Sequence, residues 1–238
     1  MSRLSDQGSV LADVRRALGR SATTRPAPLE PFVEGVVEES HEEVEESHEE
    51  IVERFGTESS AVGALVHHAP SAGEAAALVT QICVEAGVKE VALSDTPLLD
   101  EMKLCAQIAT QSLSAFRMTE FAGGRDELIA RLESCGAGVS AVEYAIAETG
   151  TVVVSSDEEG GLLVSLLPAV HIAVLRAGQI VASLAEAVIK LKREYTGRDT
   201  ACRSVTFITG PSRTSDVELV LSIGVHGPKQ LHLIIVDE

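Results

Sequence analysis

Tryptophan is missing from the 238 residues, and aromatic side chains amount to only 3% of them. Single-stranded nucleic-acid binders stack bases on aromatic rings, so the material for such a surface is scarce. Basic residues are scarce too. Nineteen Lys and Arg face 36 Asp and Glu, and a formal net charge of −17 repels a phosphate backbone. Both shortages argue against nucleic acid as a partner. No apolar run reaches the length of a membrane span, and Met1 to Val10, with Ser2, Asp6 and Gln7, has no continuous apolar stretch of the kind a secretion signal needs. The sequence therefore predicts a cytoplasmic protein. Its four cysteines, Cys83, Cys105, Cys135 and Cys202, lie far apart with no C-x-x-C and no His at zinc-ligand spacing. They read as buried free thiols, with neither an iron–sulfur nor a structural zinc motif, and no cofactor is assigned. Three signatures are absent as well. Without G-x-G-x-x-G or G-x-x-x-x-G-K-[ST], simple nicotinamide or ATP chemistry loses ground, and without G-x-S-x-G so does an α/β-hydrolase.

What the chain has is aliphatic. Hydrophobic residues make up 45%, mostly Val, Leu, Ile and Ala, enough to bury a full core. Leu4, Leu11, Val14 and Leu18 recur at helical intervals before Gly19 and the Ser/Thr/Pro stretch 21–31, which predicts a helical arm and a linker. Val37-Glu38-Glu39-Ser40-His41-Glu42-Glu43 is then repeated residue for residue as 44–50. The period of seven puts Val37, Val44 and Ile51 on one face of a helix, a narrow stripe suited to docking on the body or on a second copy of the chain. His41 and His48 stand among carboxylates on the charged side of that helix, where solvent covers them, and no metal is assigned there.

From about Ala61, short β-branched runs alternate with helical patterns. The strand candidates are 62–67, 90–94, 113–118, 139–142, 151–154, 172–175, 205–209 and 231–236. Ser71-x-x-Glu74 and Ser183-x-x-Glu186 are capping boxes, and Thr96-Pro97 offers an N-cap followed by Pro. Strand, short loop and capped helix in repetition predict an α/β fold with a mainly parallel sheet and helices on both faces. The expected division is an arm, linker and acidic repeat over 1–56 and an α/β domain over 57–238.

Ligands of such sheets bind beyond the carboxyl ends of strands, which directs attention to the loops that leave them. In the run from Val205 to Glu218, a strand leads into a hydroxyl-rich turn and an expected helix. Gly210 permits the turn, Ser212 and Thr214 with free amides of the helix start would hold a carboxylate or phosphate, and Arg213 supplies positive charge. Ser215-x-x-Glu218 is also a capping box, so part of this run has a purely structural reading. Glu148-Thr149-Gly150-Thr151 precedes a strong β run, and Glu148 there is either an acid, base or metal ligand or a turn acid bonded to local amides. Gly224-Val225-His226-Gly227-Pro228 sets an imidazole between two glycines, and His171 opens a strand after Leu166-Leu167-Pro168. His67 and His68 receive no role, because adjacent side chains of a strand point to opposite faces.

These stretches, in this order, resemble the LUD domain of the lactate-utilisation protein C family: Ala147 to Thr151, Leu166 to Pro168 with His171, Gly210 to Glu218, and Gly224 to Pro228. The resemblance covers about Ala61 to Val236. It implies a sugar-phosphate isomerase and coenzyme A transferase-like fold and a part in the oxidation of L-lactate to pyruvate beside iron–sulfur partner proteins, this chain being the cluster-free member. The acidic duplication departs from the family pattern. Three readings follow: an accessory subunit binding a small carboxylate or phosphate; a stand-alone isomerase or acyl-transfer enzyme with Glu148 as base or nucleophile and His226 as proton shuttle; and an oligomeric interaction protein. The expected ligand-binding set is Thr149, Gly150, Thr151, His171, Gly210, Ser212, Arg213, Thr214, Asp216 and Gly227.

Overall fold

The second copy of the acidic repeat contains its own helix start. Ser47 has extended backbone and accepts from the Glu50 amide, while the Glu50 carboxylate accepts from the Ser47 amide at 2.7 Å, a complete capping box. Helix α1 (His48–Ala61) therefore begins at His48, and the seven-residue stripe expected over Val37 to Ile51 does not pass through Ser47 as one helix. Ile51 instead opens the apolar face of α1, which ends in the fully buried Phe55. The computed structural model describes residues 46–155, 161–196, 204–215 and 221–237. The arm at Leu4 to Leu18, Val37, His41, Val44, Cys202, Asp216 and Glu218 lie outside these.

Six strands form one all-parallel sheet in the order β1-β12-β7-β4-β2-β3: β1 (Leu65–Ala69), β2 (Glu90–Leu93), β3 (Ser114–Arg117), β4 (Ala137–Ala141), β7 (Val170–Arg176) and β12 (Gln230–Val236). Its central strands are buried on both faces, as parallel pairing demands, and so carry continuous aliphatic runs such as Leu233 to Val236. One face carries Ile172, Val174, Ile234 and Val139 against α2 (Ala72–Glu85), α3 (Pro97–Glu101) and α4 (Leu104–Ala109). Ser71 caps α2 as expected, its hydroxyl accepting from the Glu74 amide at 3.3 Å.

The opposite face carries Leu231, Leu233, Ala173 and Leu175 against α1 and a second sheet, ordered β8-β5-β6-β9. Its members are β5 (Tyr144–Ile146), β6 (Thr151–Ser155), β8 (Ile180–Val181) and β9 (Val205–Thr209), with β6 antiparallel to both neighbours. The strands at Thr151 and Val205 thus leave the parallel sheet and stack upon it. Farther along the same face, α5 (Arg125–Ser134) and α6 (Gly161–Leu166) enclose Leu132 and Val164. Beyond the second sheet, α7 (Leu184–Tyr195) covers Ile146, Val153 and Val181.

After β9 the chain departs from expectation. Ser215 does not start a helix: it ends β10 (Arg213–Ser215), which pairs antiparallel with β11 (Leu221–Ile223). The β-branched Thr214 and the alternation of Leu221-Ser222-Ile223 favour a ribbon, and the Ser-x-x-Glu spacing is overruled. Among the described residues no helix is long and apolar enough to cross a membrane.

Candidate functional site

The loop leaving β9 and the loop entering β12 are tied by backbone. The Ser212 amide donates to the Pro228 carbonyl at 2.9 Å, and the Gly224 amide donates to the Ser212 carbonyl at 3.0 Å. Gly210 turns the first loop at φ +74°, and a Cβ there would collide with the Val62 carbonyl at the end of α1. Gly150, at φ +62°, would likewise collide with the backbone of Glu58 and Ser59. Both glycines are thus required by close contact with the last turn of α1. Arg213 strengthens the same contact by donating to the Val62 carbonyl at 2.5 Å.

Between these loops, α6 and the parallel sheet lies a cavity of about 460 Å³. His171 and Leu231, register neighbours on β7 and β12, form its floor, and each is only 1% exposed. Leu162, Leu166 and Phe207 contribute apolar lining, and Ser212, Arg213 and His226 contribute polar lining. His171 is the second residue of its strand, so the cavity opens at the amino end of the parallel sheet, opposite to the carboxyl-end crevice expected from sequence. The reason is topological: the Gly210 turn leaves an antiparallel strand stacked on the sheet, and the partner loop enters β12.

The floor is chemically defined. His171 Nε2 lies 2.9 Å from the Ser140 hydroxyl, and Ser140 is fully buried. Nδ1 of His171 is buried with no hydrogen-bond partner. Burial pushes the imidazole down to about 3, so the ring is neutral near pH 7. A Cβ at Gly138, also on β4, would collide with the Val164 carbonyl, which shows how closely α6 sits over this corner. No Asp or Glu is found among the described residues lining the cavity, although the chain is strongly acidic.

Of the residues expected from sequence, His171, Gly210, Ser212, Arg213, His226 and Gly227 line this one cavity. Thr149 and Thr151 connect to it indirectly: their hydroxyls lie 2.7 Å apart, and Thr151 reaches the hydroxyl of cavity-lining Thr209 at 2.8 Å. Thr214 sits in β10 opposite Ser222, away from the lining, and Asp216 is outside the described residues. Glu148 lies elsewhere. Its carboxylate accepts from the Leu184 amide at 3.0 Å, holding the first turn of α7, and it does not line the cavity. Sequence reasoning missed Ser140, whose signal is a hydroxyl inside a strand of small apolar residues buried on both faces, and the apolar lining from Leu162 and Phe207. It also gave no role to His67, which stacks on His232 with ring centroids 5.3 Å apart and a 3.1 Å contact between Nε2 and Nδ1. That pair lies on the α2 face, because His232 alternates with the cavity-facing Leu231. No group of three or more His, Cys, Asp or Glu among the described residues is arranged to hold a metal.

The model of the LUD domain matches residues 52–236, most of the chain. The protein belongs to the LUD-domain family. Lactate utilization protein C of Bacillus licheniformis is 37% identical over 117 residues, 49% of each chain. The matched stretch thus spans about half the length of that relative, as it does for the Bacillus subtilis protein of the same name, 34% identical over 47% of its length. YkgG of Escherichia coli is 29% identical over 98% of this LUD protein and all of its own chain. Among solved structures, a DUF162 family protein from Deinococcus radiodurans superposes with a TM-score of 0.57 at 26% identity, covering 80% of this chain and 99% of the other. The mixed α/β architecture is therefore shared with a LUD-type relative.

Proposed function

We propose that this LUD-domain protein serves L-lactate utilisation, the oxidation of L-lactate to pyruvate, as a subunit that binds a small carboxylate or phosphate and works beside iron–sulfur partner proteins. The names of its relatives support the process. The observation that carries the binding role is the cavity itself: in a chain of net charge −17, its described lining holds Arg213, His226 and His171 and no carboxylate. A site free of negative charge with cationic or donor groups in its lining suits an anion. The reading with Glu148 as base gains no support from geometry, since that carboxylate is engaged at the start of α7.

Calorimetry of the purified protein with lactate, pyruvate and phosphorylated metabolites tests the binding role. Saturable binding of at least one is expected, weakened about tenfold in His226→Ala, which removes one hydrogen bond to a charged group. No binding of any of them removes the proposal.

A further inference from the structure

The second sheet ends in an open edge. Among the described residues β9 pairs with β6 alone, and no backbone group of Val205 to Thr209 is hydrogen-bonded outside that pairing. Alternate residues of such a strand present N–H and C=O groups outward, and proteins usually blunt an edge with charge, proline or shortness. β8, at the other edge of the same sheet, is two residues long. β9 has five residues, none charged and none proline, and Thr206, Phe207 and Thr209 are exposed.

The cavity runs along this edge. Four consecutive residues, Thr206 to Thr209, line it. Neighbouring side chains of a strand point to opposite faces, so a space touching all four lies beside the strand and not over one face. Across it Leu162, Ser165 and Leu166, spaced i, i+3 and i+4, present one side of α6. An edge strand opposite a helix is a layout that receives one more extended chain, the strand supplying backbone hydrogen bonds and the space taking alternate side chains. Thr206 to Thr209 extend over about 10 Å, the length of three or four residues of such a chain. Leu166, Phe207 and Val225, which adjoins the lining His226, are 51%, 44% and 56% exposed. Three large apolar side chains left half open around one cavity suit a partner chain better than a small solute.

Charge fixes which end of that chain arrives. Gly210 to Arg213 follow β9 directly, and the backbone bonds of Ser212 hold the loop of Gly224 to Pro228 against this turn, so a chain laid along β9 meets both loops there. Arg213 and His226 are exposed in these loops, and the described lining holds no carboxylate. A chain beginning there and running antiparallel to β9 would bring an ammonium group to Arg213. One running parallel ends there and brings a carboxylate, which is attracted.

Resting on the cavity being an anion site, we propose that it docks the carboxyl terminus of a partner protein. The last three or four residues lie extended and parallel to β9, with apolar side chains against Leu162, Leu166 and Phe207 and the terminal carboxylate at Arg213 and His226. No bond is made or broken.

The test is calorimetry of the full chain with two N-acetylated pentapeptides of alternating valine and threonine ending in leucine, one a free acid and one amidated, with lactate and pyruvate alongside. The acid is expected to bind about tenfold more tightly than the amide, the value of a hydrogen bond to a charged group. Methylation of single backbone nitrogens separates strand pairing from side-chain contact, because neighbouring residues direct their N–H groups to opposite edges. Of the penultimate and antepenultimate positions, one should weaken binding about tenfold and the other little. Hydrogen exchange of the unsubstituted protein should show amides within 205–209 slowed by the acid peptide and not by lactate. Equal binding of acid and amide, equal effects of the two methylations, or unchanged exchange over 205–209 overturns the proposal. So does exchange there that slows with protein concentration alone, which assigns the edge to a second copy of the chain. Binding of lactate or pyruvate without binding of peptide overturns it and leaves the small-anion reading standing. Binding of neither peptide nor small acid removes both.

Discussion

Lowering the pH from 7 to 5 should destabilise the protein through His171 by about 2 kcal/mol. In the unfolded chain this imidazole titrates near its ordinary 6.5, whereas burial in the fold pushes it down to about 3. Between those values the unfolded state binds a proton that the native state refuses, so stability that is fully present above pH 6.5 is lost as pH falls toward 3. At pH 5 the unfolded histidine is almost entirely protonated and the folded one almost entirely neutral, which gives the stated difference relative to pH 7. The assay is urea unfolding at the two pH values, with wild type compared against His171→Gln. Other groups, His232 and the carboxylates included, titrate in both proteins and cancel, leaving a pH-dependent loss smaller by about 2 kcal/mol in the variant. Should the variant fail to fold, imidazole NMR of the wild type reads the same quantity, the His171 ring remaining neutral at pH 5. Equal pH dependence in the two proteins, or a His171 ring protonated at pH 5 in the native state, would refute the reasoning.

Gly138→Ala should destabilise the fold by about 1–3 kcal/mol, because the new methyl meets the Val164 carbonyl and α6 must lift from β4. Thermal unfolding should register about 2–4 °C for each kcal/mol, and an unchanged midpoint would contradict the packing described. Cys83 and Cys135, both buried and pushed up to about 12 by that burial, should resist alkylation at pH 8 until the protein is unfolded. Peptide mass mapping reads this directly, and rapid labelling of either thiol in the native protein would contradict its placement.

Each of the eight strand candidates corresponds to a strand, with ends shifted by up to three residues at 62–67, observed as Leu65–Ala69. The reason is that β-branched runs between capped helices leave few alternatives. Less legible was which sheet a strand would join. Thr151–Ser155 and Val205–Thr209 look as aliphatic as the parallel strands, and their antiparallel pairing depends on contacts between residues some fifty positions apart that local pattern does not encode. The Tyr144–Ile146 and Ile180–Val181 strands are too short to show a period. The association of the Gly210 and Gly227 loops was readable as two glycine-bearing turns. Its position at the amino end of the sheet was not, because it follows from the stacking of β9. Glu148 illustrates the opposite failure: a carboxylate in a conspicuous motif is engaged in helix capping, a role that sequence leaves open beside catalysis.

The place of β12 has a consequence for how the protein is made. This strand lies inside the parallel sheet, between β1 and β7, so that His67 and His232 touch although 165 residues separate them along the chain. Until β12 arrives, β1 has no strand beside it and β7 has a bare flank. Pairing of this kind pays loop-closure entropy before any contact returns it, so the sheet assembles slowly and late. A nascent chain carrying β1 through β11 exposes unpaired aliphatic backbone for as long as synthesis of the remaining segment takes. Chaperone capture and aggregation compete during that interval. The strand that supplies Leu231 to the cavity floor thereby also decides when the molecule becomes safe from its own unfinished edges.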